Sequence, residues 1–253
     1  MLNAIGLLLK AIPKGHFSLS LRRALLRRTM RDLTRDFVHP HVRYFSQYGQ
    51  DLFVDAFLFR GRRDGFFVDI GAYDGITYSN TYFLERELGW QGICFEPHPE
   101  VFRKLAAARR CTVVNAGVGP RSGRLQFLTL PESVEMGSGF LEHFPQHHRD
   151  PDWVNMMRRT GATLRDLDIL EINEALASRA GRTKIDYISI DTEGADFDIL
   201  RALDLRRFNV EVIDIENNFF GDDICVYLDR QGYELRGILG SNEIYQKRRA
   251  GSR

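Results

Sequence analysis

The chain has 253 residues, 43% hydrophobic and 27% charged, with a formal charge of +1 and an isoelectric point near 7.8. That length and balance suit one sizeable core with an extension, and they exclude a disordered polyelectrolyte or a strongly basic nucleic-acid binder. The charge is unevenly placed: residues 1–43 hold nine basic side chains against Asp32 and Asp36, a net +7, which leaves −6 for the remainder.

In chain order, "MLNAIGLLLKAIPKG" is too short an apolar run to span a bilayer, lacks a basic flank before it and has no small-residue cleavage site after it. It reads as neither signal peptide nor membrane span. "SLSLRRALLRRTMRDLTRDF" brings Leu21, Leu25, Leu26, Met30, Leu33 and Phe37 together at helical spacing among arginines. Residues 1–44 are therefore expected to be a basic amphipathic extension. Its apolar stripe packs on the domain or on a second copy of the chain; the alternative is an anionic membrane or an acidic partner.

A domain is expected over 45–253. A helix "SQYGQDLFVDAFLF" precedes the first strand, "FFVDI", which runs into the turn "GAYDG". Helix "SNTYFLERELG", strand "GICF", the turn "EPHPE", helix "VFRKLAAAR" and strand "CTVVNAGVG" follow, and this alternation predicts a parallel sheet covered by helices on both faces. "GRLQFLTL" is another strand. Residues 131–160 have no clean period and read as an irregular lid or acceptor-binding insertion. The spacing then predicts a helix over "LDILEINEALASRA", strand "IDYISI", loop "DTEGADFD", strand "VEVIDIE", helix "ICVYLDRQG" and a closing hairpin of "YELRGILG" and "EIYQ". Cys94, Cys111 and Cys225 are odd in number and form no C-x-x-C pair, which points away from zinc or redox chemistry and toward a reduced, cytoplasmic compartment.

Candidate site residues sit at strand ends, where the crevice of an open α/β sheet lies. Gly71 lets backbone approach a ligand, but the turn is not the G-x-G-x-x-G of a dinucleotide fold. Asp69 and Asp74 would repel a pyrophosphate and suit an ammonium group, such as the amino-acid end of S-adenosylmethionine; the bland alternative is a strand end with a turn glycine. Glu96, some 25 residues after Gly71, stands where an acid receives the two hydroxyls of a ribose. Asn115 and Ala116 suit an adenine edge and face. Ser46, Gln50 and Asp51 either reach the amino-acid end or cap a helix. Asp191, Glu193, Glu216 and Asn217 leave three readings open: a general base, helix capping, or ligation of a hard divalent cation such as Mg²⁺ by Asp191, Glu216 and Asn217. His143, His147 and His148 lie in a polar substrate loop, with His148 a further candidate base.

Taken together, "FSQYGQD", "FFVDIGAYDGITYSNTYFLERELGW", "GICFEPHPEVFRKL", "NAGVG", "IDYISIDTEGADFDIL" and the "IEN" strand make the chain resemble the FkbM family of S-adenosylmethionine-dependent methyltransferases from about Phe45 to Gln246. The resemblance implies a Rossmann-like class I methyltransferase fold, a seven-stranded, mostly parallel sheet ending in an antiparallel hairpin. It implies that Asp69, Gly71 and Ala72 border the methionine part, that Glu96 meets the ribose, and Asn115 with Ala116 the adenine; Gln50, Tyr73, Asp74 and Pro97 are further cofactor-binding candidates. Asp191 and Glu193 then lie near the transferred methyl. The implied reaction is O-methylation of a sugar, glycan or polyketide hydroxyl, with acceptor choice in residues 1–44 and 131–160. An N-methyltransferase, a nicotinamide dehydrogenase and a non-catalytic binding protein are the rival readings. Nucleic acid is not expected as a partner, because the acidic body offers no basic groove.

Overall fold

Short runs of β-branched and aromatic residues alternate here with amphipathic stretches, and the central runs, 66–70 and 187–190, are buried on both faces, as strands between two helix layers must be. The structure is a computed structural model that describes residues 43–144, 151–180, 184–218 and 221–249. The basic helix expected before residue 43 and the segment holding His147 and His148 lie outside the described residues.

Helix α1 (Gln50–Phe53) continues into a π-helical turn over Val54–Phe59. Strand β1 (Phe66–Ile70) is followed by α2 (Tyr82–Leu88), β2 (Gln91–Phe95), α3 (Pro99–Ala108), β3 (Thr112–Val114), β4 (Gly117–Gly119) and β5 (Gly123–Thr129). Strand β6 (Gly139–Phe140), α4 (Pro151–Arg159), β7 (Thr163–Glu171) and α5 (Ile172–Arg179) come next. Strand β8 (Tyr187–Ile190), α6 (Asp196–Ala202), β9 (Val212–Glu216), α7 (Asp223–Arg230), β10 (Tyr233–Leu239) and β11 (Asn242–Lys247) complete the order.

The main sheet has seven strands in the order β10-β11-β9-β8-β1-β2-β3, parallel except for β11, which runs antiparallel to both β9 and β10. This is the class I methyltransferase fold with its reversed hairpin, as the resemblance implied. Side chains alternate across β1: Phe66, Val68 and Ile70 pack with Ile172, Leu176, Ile199 and Leu228 on one face, while Phe67 packs with Phe53, Phe83, Leu84 and Leu105 on the other. Strand order reverses at β1, with β2 on one side and β8 on the other, so a crevice opens at their carboxyl ends.

Two expectations are corrected. "CTVVNAGVG" is not one strand: β3 ends at Val114 and β4 leaves the main sheet to pair with β7. Residues 167–171 are strand, not helix, because 163–171 alternates, and Leu167 and Ile169 turn the same way onto Phe127 and Phe140. The helix starts only at Ile172, where the Glu171 carboxylate accepts the Glu174 N–H at 2.7 Å. These strands form a second sheet, β4-β7-β5-β6, into which the insertion contributes β6. Cys94 and Cys111, distant in sequence, bring their sulfurs to 3.5 Å across neighbouring β2 and β3. No helix among the described residues is long and apolar enough to cross a membrane.

Candidate active site

The chain leaves β1 through a turn built for close approach. Gly71 has φ +85°, and a β-carbon there would collide with the Asp191 carbonyl, so only glycine lets the ends of β1 and β8 meet. The Gly71 and Ala72 N–H groups donate to Phe95 O at 3.0 and 3.1 Å, tying the turn to β2. Tyr73 takes a left-handed φ of 49° and donates its N–H to Glu96 at 3.0 Å. Behind the turn lies a cavity of about 150 Å³, bordered by 69–73, 95–98, Glu135 to Phe140, and the ends of β8 and β9.

Asp69 lines this cavity and is nearly inaccessible; its Oδ2 accepts the Thr81 hydroxyl at 2.5 Å and stands 3.9 Å from Arg109 Nη1. Burial raises its pKa and the guanidinium opposes that rise. Arg109 is the buried counter-charge of the whole turn: it pairs with Glu85 and donates to Thr81 Oγ1 at 2.9 Å and Gly75 O at 3.3 Å. Asp74 does not line the cavity; its carboxylate accepts the N–H groups of Ile76 and Thr77 at 2.9 and 2.7 Å and so holds its own turn. Gln50, Ala72 and Tyr73 do line it. Asp51 and Ser46 are bonded to each other, and Asp51 also accepts the Phe45 and Leu52 N–H groups, which ties the incoming segment to the first turn of α1.

At the end of β2, Glu96 accepts the N–H of Tyr73 and of His98, at 3.0 and 2.8 Å, one on each oxygen. Each oxygen keeps a further lone pair, so the side chain can still accept two hydroxyls. Burial pushes its pKa up to about 7. Pro97 and Ala116 border the same end, whereas Asn115 does not: its amide donates to Glu96 O and Pro97 O at 2.8 and 3.1 Å.

At the opposite end, Asp191, Glu193 and Glu216 each bring a carboxylate oxygen within 4.8 Å of the others. Burial raises all three pKa values and mutual repulsion adds to it; Glu193 and Glu216 are pushed up to about 7, and Asp191 well above the ordinary range. Three carboxylates so close in a partly dry site retain protons at neutral pH or attract a cation. Asn217 does not line the cavity; it donates its backbone N–H to Ser241 O and its amide to Gly221 O. Nor does Asp191 cap α6: the Asp196 carboxylate folds back to accept the N–H groups of Thr192 and Gly194. Glu193 is held at φ +57°, and Gly194 passes so close to His143 O that a β-carbon would lie 2.8 Å away, so the insertion rests directly on this loop.

Sequence reasoning missed Asn80, His98, Glu135 and Ser189, all in the cavity wall. Asn80 donates its amide to Ser189 Oγ at 3.0 Å, while its Oδ1 and the His98 Nε2 are buried with no hydrogen-bond partner among the described residues. Ser189 lies opposite Asp69 in the β1–β8 register and lines the cavity with it, but that register is not visible in the sequence.

A family model described as the methyltransferase FkbM domain matches residues 69–235. Among solved structures, the chain is similar to a methyltransferase FkbM from Methylobacillus flagellatus at 13% identity and TM-score 0.47, covering 96% of this chain and 58% of that one. It is also similar to a TehB-like SAM-dependent methyltransferase from Corynebacterium glutamicum at 12% identity and TM-score 0.40, covering 88% and 98%. The chain thus spans little more than half the length of the FkbM structure. No curated protein matches it.

Proposed function

Because the chain belongs to the FkbM methyltransferase family, we propose that it is an O-methyltransferase acting on a hydroxyl of a sugar, glycan or glycosylated metabolite. Family membership implies S-adenosylmethionine as methyl donor, and the cavity suits it. Two buried acceptors, Asp69 and Asn80 Oδ1, fit an ammonium group, and Glu96 retains capacity for a ribose diol. When bound, the donor supplies a methyl group on a positively charged sulfur, already a good leaving group. What remains for the protein is to align the acceptor oxygen and take its proton.

The observation that carries this reading is the carboxylate trio. A sugar hydroxyl is a weak nucleophile at neutral pH, and a base whose pKa lies near the working pH is the efficient choice. Glu193 and Glu216 at about 7, with Asp191 grouped beside them, provide such a proton acceptor. Asp191 is the first candidate and Glu216 the second; His148 belongs to the same proposal as a residual base. The convergence of Asp191, Glu193 and Glu216 favours a second reading, in which they hold a divalent cation such as Mg²⁺ that orients a diol.

Radiolabelled donor offered to a panel of sugars, glycosides and amines tests the acceptor class. Label on hydroxyl acceptors is expected, and label on amines alone would refute it. Asp191→Asn is expected to keep affinity for S-adenosylhomocysteine and to lose turnover about 100-fold or more. Unchanged turnover removes Asp191 from the role. Loss of activity in EDTA with rescue by Mg²⁺ selects the cation; indifference to EDTA selects the simple base.

A further inference from the structure

His98 caps α3: its ring is buried, and Nδ1 accepts the Val101 N–H at 3.4 Å. Burial lowers its pKa, so the ring is neutral, and with Nδ1 accepting, the ring proton sits on Nε2. That Nε2–H lines the cavity with no hydrogen-bond partner among the described residues, a costly state for a buried donor. Facing it is Glu135 from the insertion, with Oε1 4.0 Å from Nε2, beyond hydrogen-bond reach. Glu135 is fixed from behind, since Oε2 accepts the Tyr73 hydroxyl at 3.1 Å and lies 3.8 Å from Lys104 Nζ. Pro97, Val101, Phe127 and Phe140 give the same end of the cavity apolar walls, the phenyl ring of Phe127 lying edge-on to His98 and to Phe140.

A flat apolar slot closed by one donor and one acceptor is the complement of a nucleobase edge. On adenine, the 6-amino donor lies beside a ring-nitrogen acceptor. We propose that His98 and Glu135 together read this edge of the methyl donor, Nε2–H donating to a ring nitrogen and the Glu135 carboxylate accepting from the 6-amino group. The assignment rests on the methyl-donor reading above. It gives the base its polar contacts from the N-cap of α3 and the insertion, the Asn115 amide being engaged with backbone carbonyls. In the other tautomer, Nδ1–H donates to Glu100 Oε2, 3.2 Å away, Nε2 and Glu135 are both acceptors, and only the 6-amino group is read.

The test is calorimetric titration of the full chain with S-adenosylhomocysteine and with S-inosylhomocysteine, whose 6-oxo group inverts the donor and acceptor pattern. Wild type is expected to prefer the adenosyl compound about tenfold or more. His98→Asn keeps a side-chain oxygen able to cap α3; it is expected to melt within a few degrees of wild type while its preference falls toward unity. Glu135→Ala is expected to reduce the preference likewise. Wild type binding both compounds equally, or a preference unchanged in both variants, overturns the inference while leaving the methyl-donor reading intact. Wild type binding neither compound overturns both.

Discussion

Replacing Arg109 with methionine removes the counter-charge beneath the β1 turn while nearly keeping the volume. The Arg109 side chain is fully buried, as are, nearly, its partners Asp69 and Glu85, so solvent screening does not dilute the pair. The guanidinium also packs over the Phe67 ring, 5.2 Å from its centroid. Leaving two buried carboxylates without a cation costs about 3–5 kcal/mol, and at about 2–4 °C per kcal/mol for a domain of this size the melting temperature falls roughly 6–20 °C. Urea denaturation at pH 7 measures the loss directly. Because the stranded carboxylates can take up protons, the deficit is expected to shrink as the pH falls toward 5. Adding Asp69→Asn to Arg109→Met is expected to recover part of the stability, since the two sites share one interaction. A loss under about 1 kcal/mol, or one independent of pH and of Asp69, would refute the assignment of Arg109 as the electrostatic support of the turn.

Gly71→Ala is expected to abolish S-adenosylhomocysteine binding and to destabilise the fold by more than about 1 kcal/mol, because both the left-handed φ and the Asp191 carbonyl oppose a β-carbon; calorimetry and thermal melting check it, and near-wild-type binding would refute the close approach. The ligand-free protein is expected to be more stable at pH 5 than at pH 8. Burial holds Glu96, Glu193 and Glu216 up at about 7 against an ordinary value of 4.5. Between those values the folded chain binds more protons than the unfolded one, so stability falls as pH rises through that window. Asp186, Glu100 and Glu171 are shifted downward and act below it. A urea midpoint that rises from pH 5 to pH 8 would contradict the shifts, and Glu216→Gln is expected to flatten the slope.

The main sheet was legible in the sequence because its strands are buried on both faces and read as apolar runs between turn signals. The reversed hairpin was visible as two closely spaced strands at the end. The second sheet was not: Leu167 to Leu170 precede a true helix, and without the partner strand β5 their period of two is indistinguishable from the start of a helical pattern. Asp69, Gly71, Glu96 and the acids after β8 and β9 could be placed because strand ends converge on one crevice. Asp74, Asn115 and Asn217 were the right residue types at plausible positions, but each spends its polar atoms on nearby backbone, which only local conformation decides. His98 and Glu135 meet across 37 residues, through a tertiary approach of the insertion that no spacing rule encodes.

The rung that joins β5 to β7 sets Thr129 opposite Thr163. Residues 130–162 leave and return at this rung, and the segment is held at a second place as well, where Gly139 and Phe140 of β6 pair with Leu128 and Phe127 of β5. Lengthening such an excursion costs little, only about 0.6 kcal/mol for each doubling of its length. A counterpart grafted at this rung would have to supply its own β6, because Phe140 packs with Phe127 and Ile169 in the second sheet's core. Glu135 also reaches Tyr73 and His143 abuts Gly194, so a graft here would change what touches the β1 turn and the loop after β8. The excursion and the two strand-end loops it touches would have to change together.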